Sequence, residues 1–136
     1  MRLALRHNLP FTTVTLSYGG RTIQIPDVLI DTGSASTIFA TDAVAGIGIS
    51  PASGDRLRFL RGVSGTESVF TRKVDRVTVG EATVHERTIE VGGMDYGFEI
   101  NGILGMDFLV DTGAVIDLRT LDLSFPDTDV ATSDRA

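Results

Sequence analysis

Apolar and polar residues alternate along most of this chain, in segments that come in pairs. A period of two predicts β-strands with one buried face, and a short link between two such segments predicts a hairpin. The three pairs are residues 11–18 and 21–30 across Gly19-Gly20, residues 74–79 and 83–91 across Gly80-Glu81, and residues 113–118 and 121–125 across Arg119-Thr120. The pattern therefore predicts a single, mostly β domain with three hairpins.

Signals for helices are few in this sequence. Thr41 can cap a short helix that runs through Ala45 and ends at Gly46. Residues 105–110 can form another one or two helical turns. The fold class that we predict is therefore all-β, with one or two short helices.

The length of the chain limits the number of its domains, and its charge limits the kinds of partner that it can bind. Its 136 residues suffice for one domain with a buried core but not for two. We expect the domain to span residues 1–126, and a polar, frayed tail to follow at 127–136. The formal net charge of -6 argues against a nucleic-acid partner, because such a binder needs a basic face.

The chain contains no cysteine, so disulfides, thiolate catalysis and cysteine-ligated zinc are excluded. No apolar run approaches the roughly 20 residues that span a bilayer, and the apolar stretch in the first residues is too short for a signal peptide, so we expect none there. We expect no membrane insertion by this segment. A cytoplasmic location is favoured, and the soluble domain of a longer, anchored protein is the alternative.

Asp31 stands at the end of an apolar run, in the segment VLIDTGSAST at 28–37. Such a run predicts a buried strand, and an ionised carboxylate inside a protein is costly without partners. Gly33 permits a tight turn, while Thr32 and Ser34 offer hydroxyl groups that can hold the carboxylate and its loop. Asp-Thr-Gly is also ordinary chemistry for a turn, so the tripeptide alone leaves both interpretations open.

Two further features follow this segment along the chain. The segment RGVSGTESVF at 61–70 has the glycine-flanked tip of a candidate hairpin, and ILG at 103–105 is an apolar pair followed by glycine. Together with the apolar run into Asp31, they resemble the retropepsin-like aspartic proteases, the single-domain relatives of pepsin. The resemblance covers residues 11–125 and implies a closed acid-protease barrel with a β-hairpin flap, acting as an aspartic endopeptidase.

The resemblance also implies a mechanism and a role for individual residues. An ionised aspartate takes a proton from a water molecule that attacks the peptide carbonyl, and a protonated aspartate stabilises the oxyanion. Two carboxyl groups this close share one proton, because like charges repel. No cofactor and no metal are implied. The implied site consists of the catalytic Asp31, the supporting Thr32, Gly33 and Ser34, the flap residues Gly62, Val63, Ser64 and Gly65, and the hydrophobic-glycine element Ile103, Leu104 and Gly105.

A second Asp-Thr-Gly lies at 111–113, but no apolar-apolar-glycine element follows it. Because too little chain remains for a second lobe, we interpret Asp111 as part of a turn between the second helix and the last hairpin. The second carboxylate must then be Asp31 of another copy, which predicts a two-fold symmetric homodimer. The resemblance implies that Thr32 braces the two turns across the axis. The hydroxyl of Ser34 can donate to Asp31, which would move the active range toward acid.

Other interpretations have less support in the sequence. His7 and His85 lack the spacing of an HExxH metal motif, and no G-x-S-x-G elbow marks a serine hydrolase. The tip within 61–70 can be an ordinary hairpin loop rather than a flap. The alternative to an endopeptidase acting on peptides or proteins is a catalytically weak module that uses the same fold for dimerisation or peptide binding.

Overall fold

The computed structural model describes four stretches of the chain. They are residues 1–52, 57–62, 65–93 and 98–126, with the backbone alone described for 57–62 and 65–68. The tail predicted at 127–136 lies outside the described residues.

Ten strands and two short α-helices make up the described chain. The strands are β1 (Ala4–Arg6), β2 (Leu9–Tyr18), β3 (Arg21–Ile30), β4 (Ile38–Ala40), β5 (Leu57–Gly62), β6 (Gly65–Val79), β7 (Ala82–Gly92), β8 (Gly102–Leu104), β9 (Val115–Asp117) and β10 (Asp122–Ser124). The helices are α1 (Thr41–Val44), which continues into a 3-10 turn at Ala45–Ile47, and α2 (Met106–Thr112).

Six of the strands form a closed barrel. They follow the order β2-β3-β8-β4-β7-β6, and β6 returns to pair with β2. The antiparallel hairpins β2–β3 and β6–β7 close at the pairs Tyr18–Arg21 and Val79–Ala82. The third hairpin, β9–β10, forms a separate two-stranded sheet. The three predicted hairpins and the expected closed all-β barrel are therefore confirmed.

The alternating pattern of the strands fills the barrel with apolar side chains. In β2, Val14 and Leu16 are fully buried, while Thr13 before them is exposed and Thr15 between them is half-buried. In β3, Ile25 is buried while its neighbour Gln24 is exposed. Full burial of each such aliphatic side chain stabilises the fold by about 1.5–3 kcal/mol.

Strands β3 and β8 are far apart in the sequence and lie side by side in the barrel. They pair in parallel, with Val28 opposite Gly102 and Ile30 opposite Leu104. Both strands end at the same edge, where β3 leads into the loop of residues 31–37 and β8 leads through Gly105 into α2. The pairing brings the Asp31 turn next to Gly105.

Both short helices differ in detail from the prediction. Thr41 is the first residue of α1 rather than its cap, and Ala40 holds the cap position without a side-chain hydrogen bond. The predicted end at Gly46 was also wrong, because Gly46 lies inside the 3-10 turn. Gly48 ends the turn instead, with a φ of 85° that a residue with a β-carbon rarely adopts. The second helix begins at Met106, one residue later than expected.

The first residues pair with the C-terminal hairpin. The backbone N–H of Leu3 donates to the carbonyl oxygen of Leu121 at 2.7 Å, and that of Leu123 donates to Met1 at 2.8 Å. The start of the chain therefore extends the β9–β10 sheet along the β10 edge. Among the described residues, none of the helices has the length and apolar character needed to cross a membrane.

Replacement of Ile25 with alanine tests the barrel core. Ile25 is 1% exposed, so Ile25→Ala removes buried methyl groups and leaves a cavity. We expect the free energy of unfolding to fall by about 2–5 kcal/mol. The exposed neighbour Gln24 is the matched control, and Gln24→Ala is expected to change it by no more than about 0.5 kcal/mol. Urea unfolding measures the free energy of unfolding of both variants. Equal losses of that free energy in Ile25→Ala and Gln24→Ala would contradict the placement of Ile25 in the core.

Candidate active site

The backbone holds the Asp31 turn at both ends. The N–H of Asp31 donates to the carbonyl oxygen of Leu104 at 3.1 Å, which extends the β3–β8 pairing by one residue. The N–H of Ser34 donates to the carbonyl oxygen of Asp31 at 3.2 Å, and the N–H of Gly33 donates to the Asp31 Oδ1 at 2.9 Å. The carboxylate is thereby held by its own turn, as the tripeptide predicts.

Asp31 opens onto a cleft of about 590 Å³. The residues lining the cleft are Leu5, Asn8, Pro10, Ile30, Asp31, Thr32, Ile116, Leu118 and Leu121. Asp31 is the one ionisable side chain among them, and the others are mostly apolar. The side chain is half-buried in the single chain, where Asp31 follows the last residue of β3.

The two hydroxyl residues of the turn differ in position. Thr32 is exposed at the surface, beside Asp31 on the wall of the cleft. The hydroxyl of Ser34 donates to the carbonyl oxygen of Ser36 at 2.8 Å. The expected donation from Ser34 to Asp31 is therefore absent, because Ser34 instead holds the loop that follows the turn.

The element at 103–105 packs directly against this loop. Ile103 and Leu104 are buried strand residues. A β-carbon on Gly105 would lie 2.3 Å from the carbonyl oxygen of Ser36 and 3.0 Å from that of Ser34. Glycine is therefore required here by the close approach of two backbones.

Two residues that the sequence interpretation missed join the loop to α2. The side chain of Asp107 accepts from the Thr37 N–H at 3.2 Å and from the Thr37 hydroxyl at 2.7 Å. The hydroxyl oxygen of Thr37 accepts from the N–H of Gly105 at 3.1 Å. Thr37 is only 2% exposed. The one signal available in the sequence was that Thr37 is a polar residue directly before the apolar strand β4. This signal did not identify Asp107 as its partner.

The second Asp-Thr-Gly, at 111–113, forms the C-terminal end of α2. It does not form the separate turn between the helix and the hairpin that we expected. Asp111 lies in the last turn of the helix and forms an ion pair with Arg87 of β7. The hydroxyl of Thr112 donates to the carbonyl oxygen of Phe108 at 2.8 Å, and Gly113 ends the helix with a φ of 64°. The placement of Asp111 between the helix and the hairpin was therefore wrong, since the helix runs two residues further than predicted. Each residue of the tripeptide has a structural role here.

The candidate flap is described only in part. Strands β5 and β6 form an antiparallel hairpin in which Leu57 pairs with Phe70 and Gly62 pairs with Gly65. The tip residues Val63 and Ser64 lie outside the described residues. The hairpin is thus present at the predicted place, and its role as a flap stays a prediction.

The closed barrel and the Asp-Thr-Gly turn packed against Gly105 define a retropepsin-like chain. Residues 14–108, more than half of the chain, match the family model described as aspartyl protease, and the chain belongs to this family. A retropepsin-like aspartic protease from Rickettsia conorii has a similar structure, with a TM-score of 0.63 and 17% identity over 91% of this chain and 97% of that chain. This likeness confirms the fold. A search of curated proteins found no match.

Substitution of Gly105 tests the close approach at the site. The β-carbon of Gly105→Ala would collide with backbone atoms, which cannot rotate away, so we expect a loss of about 1–3 kcal/mol in the free energy of unfolding. Gly46 is the matched control, because a β-carbon there meets nothing within 4 Å. Gly46→Ala is expected to be neutral or slightly stabilising. Thermal unfolding compares them, and a fully stable Gly105→Ala would refute the packing argument.

Proposed function

We propose that the protein is a homodimeric aspartic endopeptidase in which each copy contributes Asp31. Membership of the aspartyl protease family and the retropepsin-like fold support a peptidase. The observation that carries the finer proposal is the cleft, where Asp31 is the single carboxylate among the lining residues that the structure describes. Aspartic proteolysis needs two carboxyl groups around one water molecule.

The second Asp-Thr-Gly of the same chain is a poor source of the missing carboxylate. Asp111 is engaged by Arg87 in the last turn of α2, and it is absent from the lining of the cleft that contains Asp31. A two-fold axis beside Thr32 supplies the same residue from a second copy, because an isologous interface places identical residues opposite one another.

In the proposed reaction the two Asp31 carboxyl groups have different roles. The ionised one accepts a proton from the water, whose oxygen attacks the carbonyl carbon of the scissile peptide bond. The protonated one donates a hydrogen bond to the carbonyl oxygen, where negative charge develops. The tetrahedral intermediate then breaks its C–N bond as a carboxyl proton moves to the leaving nitrogen. Activity therefore requires one carboxyl group to be ionised while the other keeps its proton.

Apolar residues beside the cleft supply a surface for the second copy. Leu5 and Leu118 line the cleft and are 51% and 67% exposed, and Val115 on β9 is 48% exposed. Among the described residues β9 pairs with β10 alone, so its other edge carries free N–H and C=O groups. Antiparallel pairing of two β9 strands satisfies both edges symmetrically. Since Ile116 of β9 also lines the cleft, this pairing places the partner beside Asp31.

The substrate in this proposal is a peptide or protein that binds in extended form. The antiparallel hairpin β5–β6 would close over it as a flap and exclude water from the reaction. The flap assignment rests on the pairing of Gly62 with Gly65 at the end of the hairpin, and we include Val63 and Ser64 at its tip. Backbone hydrogen bonds to the flap would hold the peptide whatever its side chains are.

The catalytic role of Asp31 is tested against that of Asp111. Asp31→Asn keeps the shape of the side chain but removes the general base, so kcat should fall by about 10²–10⁴-fold. Asp111→Asn weakens the ion pair with Arg87 and should cost on the order of 1 kcal/mol in stability. Its kcat per dimer should stay unchanged. Cleavage of a mixed peptide library, assayed at matched dimer concentration, provides the comparison.

An Asp111→Asn variant that is folded, dimeric and as inactive as Asp31→Asn would overturn the two-copy site. A one-chain pair of aspartates would then be the better description.

The need for a second copy is tested by dilution and by Leu118→Asp. Because each copy holds half of the site, specific activity should fall as sedimentation shifts toward the monomer. A charge at Leu118 is tolerated in the exposed position of a monomer but disfavours an apolar interface. The variant should therefore need a higher protein concentration to reach half of its maximal activity. Gln24→Asp adds the same charge at an exposed barrel position. This control should reach half of its maximal activity at the same concentration as the unsubstituted protein. Full activity in a strictly monomeric species would contradict the proposal.

A further inference from the structure

We infer that Asp107 and Thr37 act together as positioning residues for Asp31, an inference that rests on the proposed function. Neither residue lines the cleft. Their hydrogen bonds instead hold the loop of residues 31–37, which carries the candidate catalytic carboxylate and has no regular secondary structure. The location of the loop, and hence of Asp31, depends on such contacts.

The loop is tied to the β8–α2 junction at three places. At its start, the N–H of Asp31 donates to Leu104. In its middle, the N–H groups of Met106 and Asp107 donate to the carbonyl oxygens of Ser34 and Ala35 at 2.7 and 3.2 Å. The third tie lies at its end.

At the end of the loop, the tie is made by side chains. The Asp107 Oδ2 accepts from the N–H of Thr37, and the Asp107 Oδ1 accepts from the Thr37 hydroxyl. The same hydroxyl oxygen accepts from the N–H of Gly105, in a buried position. One threonine therefore connects the end of the loop to both the glycine and the carboxylate at the start of α2. This is the tie that a side-chain substitution can remove while the backbone ties remain.

The geometry of Asp107 requires a carboxylate rather than an amide. Its Oδ1 also accepts from the N–H of Phe108 at 2.7 Å, so both oxygens face backbone N–H groups. In Asp107→Asn, an amide nitrogen at the Oδ2 position would face the N–H of Thr37. At the Oδ1 position it would face that of Phe108. Either way one backbone donor loses its acceptor, which is costly in a part-buried site.

Release of this tie is expected to act on the chemical step. A shift of about 1 Å in a catalytic group, caused by a change remote from the substrate, can lower the rate on the order of 100-fold. Because Asp107 and Thr37 do not line the cleft, the binding of substrate should change little. The signature of positioning is therefore a lower kcat with a KM that changes by less than about twofold.

Thr37→Val and Thr37→Ser separate the hydroxyl from the shape of the side chain. Valine preserves the branched shape but removes the donor to Asp107 and the acceptor for Gly105. We expect kcat to fall on the order of 10- to 100-fold. Serine retains the hydroxyl, and Thr37→Ser should recover kcat to within about threefold of the unsubstituted protein. Asp107→Asn should behave like Thr37→Val.

Asp111→Asn is the matched control for Asp107→Asn, since it changes the same side chain one turn further along α2. It loses the contact with Arg87 and no contact with the loop. The control should therefore lose stability without a change in kcat per dimer. A purely structural role for Asp107 would produce the same result as the control.

The second measurement does not depend on activity. Hydrogen exchange at the Asp31 amide, followed by NMR on the full chain, reports whether the bond to Leu104 opens more often. We expect about 10-fold faster exchange in Thr37→Val and Asp107→Asn, and an unchanged rate in Thr37→Ser and Asp111→Asn. If the unsubstituted protein cleaves no peptide, the proposed function fails and the exchange rates alone decide the positioning role.

The combined result supports or overturns the inference. Slower turnover at constant KM with faster exchange at Asp31, rescued by serine, supports it. If Thr37→Val is less stable but keeps the exchange rate of Asp31 and its kcat per dimer, the tie is structural only and the inference is wrong.

Discussion

Gly105, at the junction of β8 and α2, lies so near the loop after Asp31 that a β-carbon would be 2.3 Å from the oxygen of Ser36. Two backbones can approach this closely only where a side chain is absent. The parallel pairing of β3 with β8 makes the approach possible, because it brings Ile30 and Leu104 to one edge of the barrel. The place of Asp31 is thus determined by how the barrel closes, and its own turn only orients the carboxylate.

Two copies of one tripeptide show how far the surroundings decide a role. Around Asp31 the turn faces a cleft, and the carboxylate accepts from Gly33 while one side stays open to solvent. Around Asp111 the same residues end a helix, where the carboxylate meets Arg87 and the glycine takes a left-handed conformation. Asp-Thr-Gly is therefore a short sequence that can form a turn or end a helix. It becomes a candidate catalytic site only where the neighbouring strand and loop leave its carboxylate exposed to a cleft.

Several surface features of one copy are explained by the proposed dimer. The free edge of β9 and the exposed side chains of Leu5 and Leu118 lie around the cleft that holds Asp31. A monomer exposes this apolar surface at a cost in solubility, while a symmetric partner would cover it. The same symmetry would supply the second carboxyl group. Chemistry and surface coverage thus favour one and the same arrangement.

The sequence by itself determined the hairpins with their strands and the candidate carboxylate, but not the short strands β1 and β4. Alternation is a local property that each strand carries in its own residues, and the order of Asp31, the hairpin and residues 103–105 is read directly along the chain. The tie between Thr37 and Asp107 was decided by tertiary structure alone, since the two lie far apart in sequence and meet only when β8 enters the barrel. The same holds for Asp111, because its interpretation as a turn residue failed once Arg87 was brought beside a longer helix. Local patterns specify elements, but contacts between distant residues depend on how those elements pack, and no local pattern encodes them.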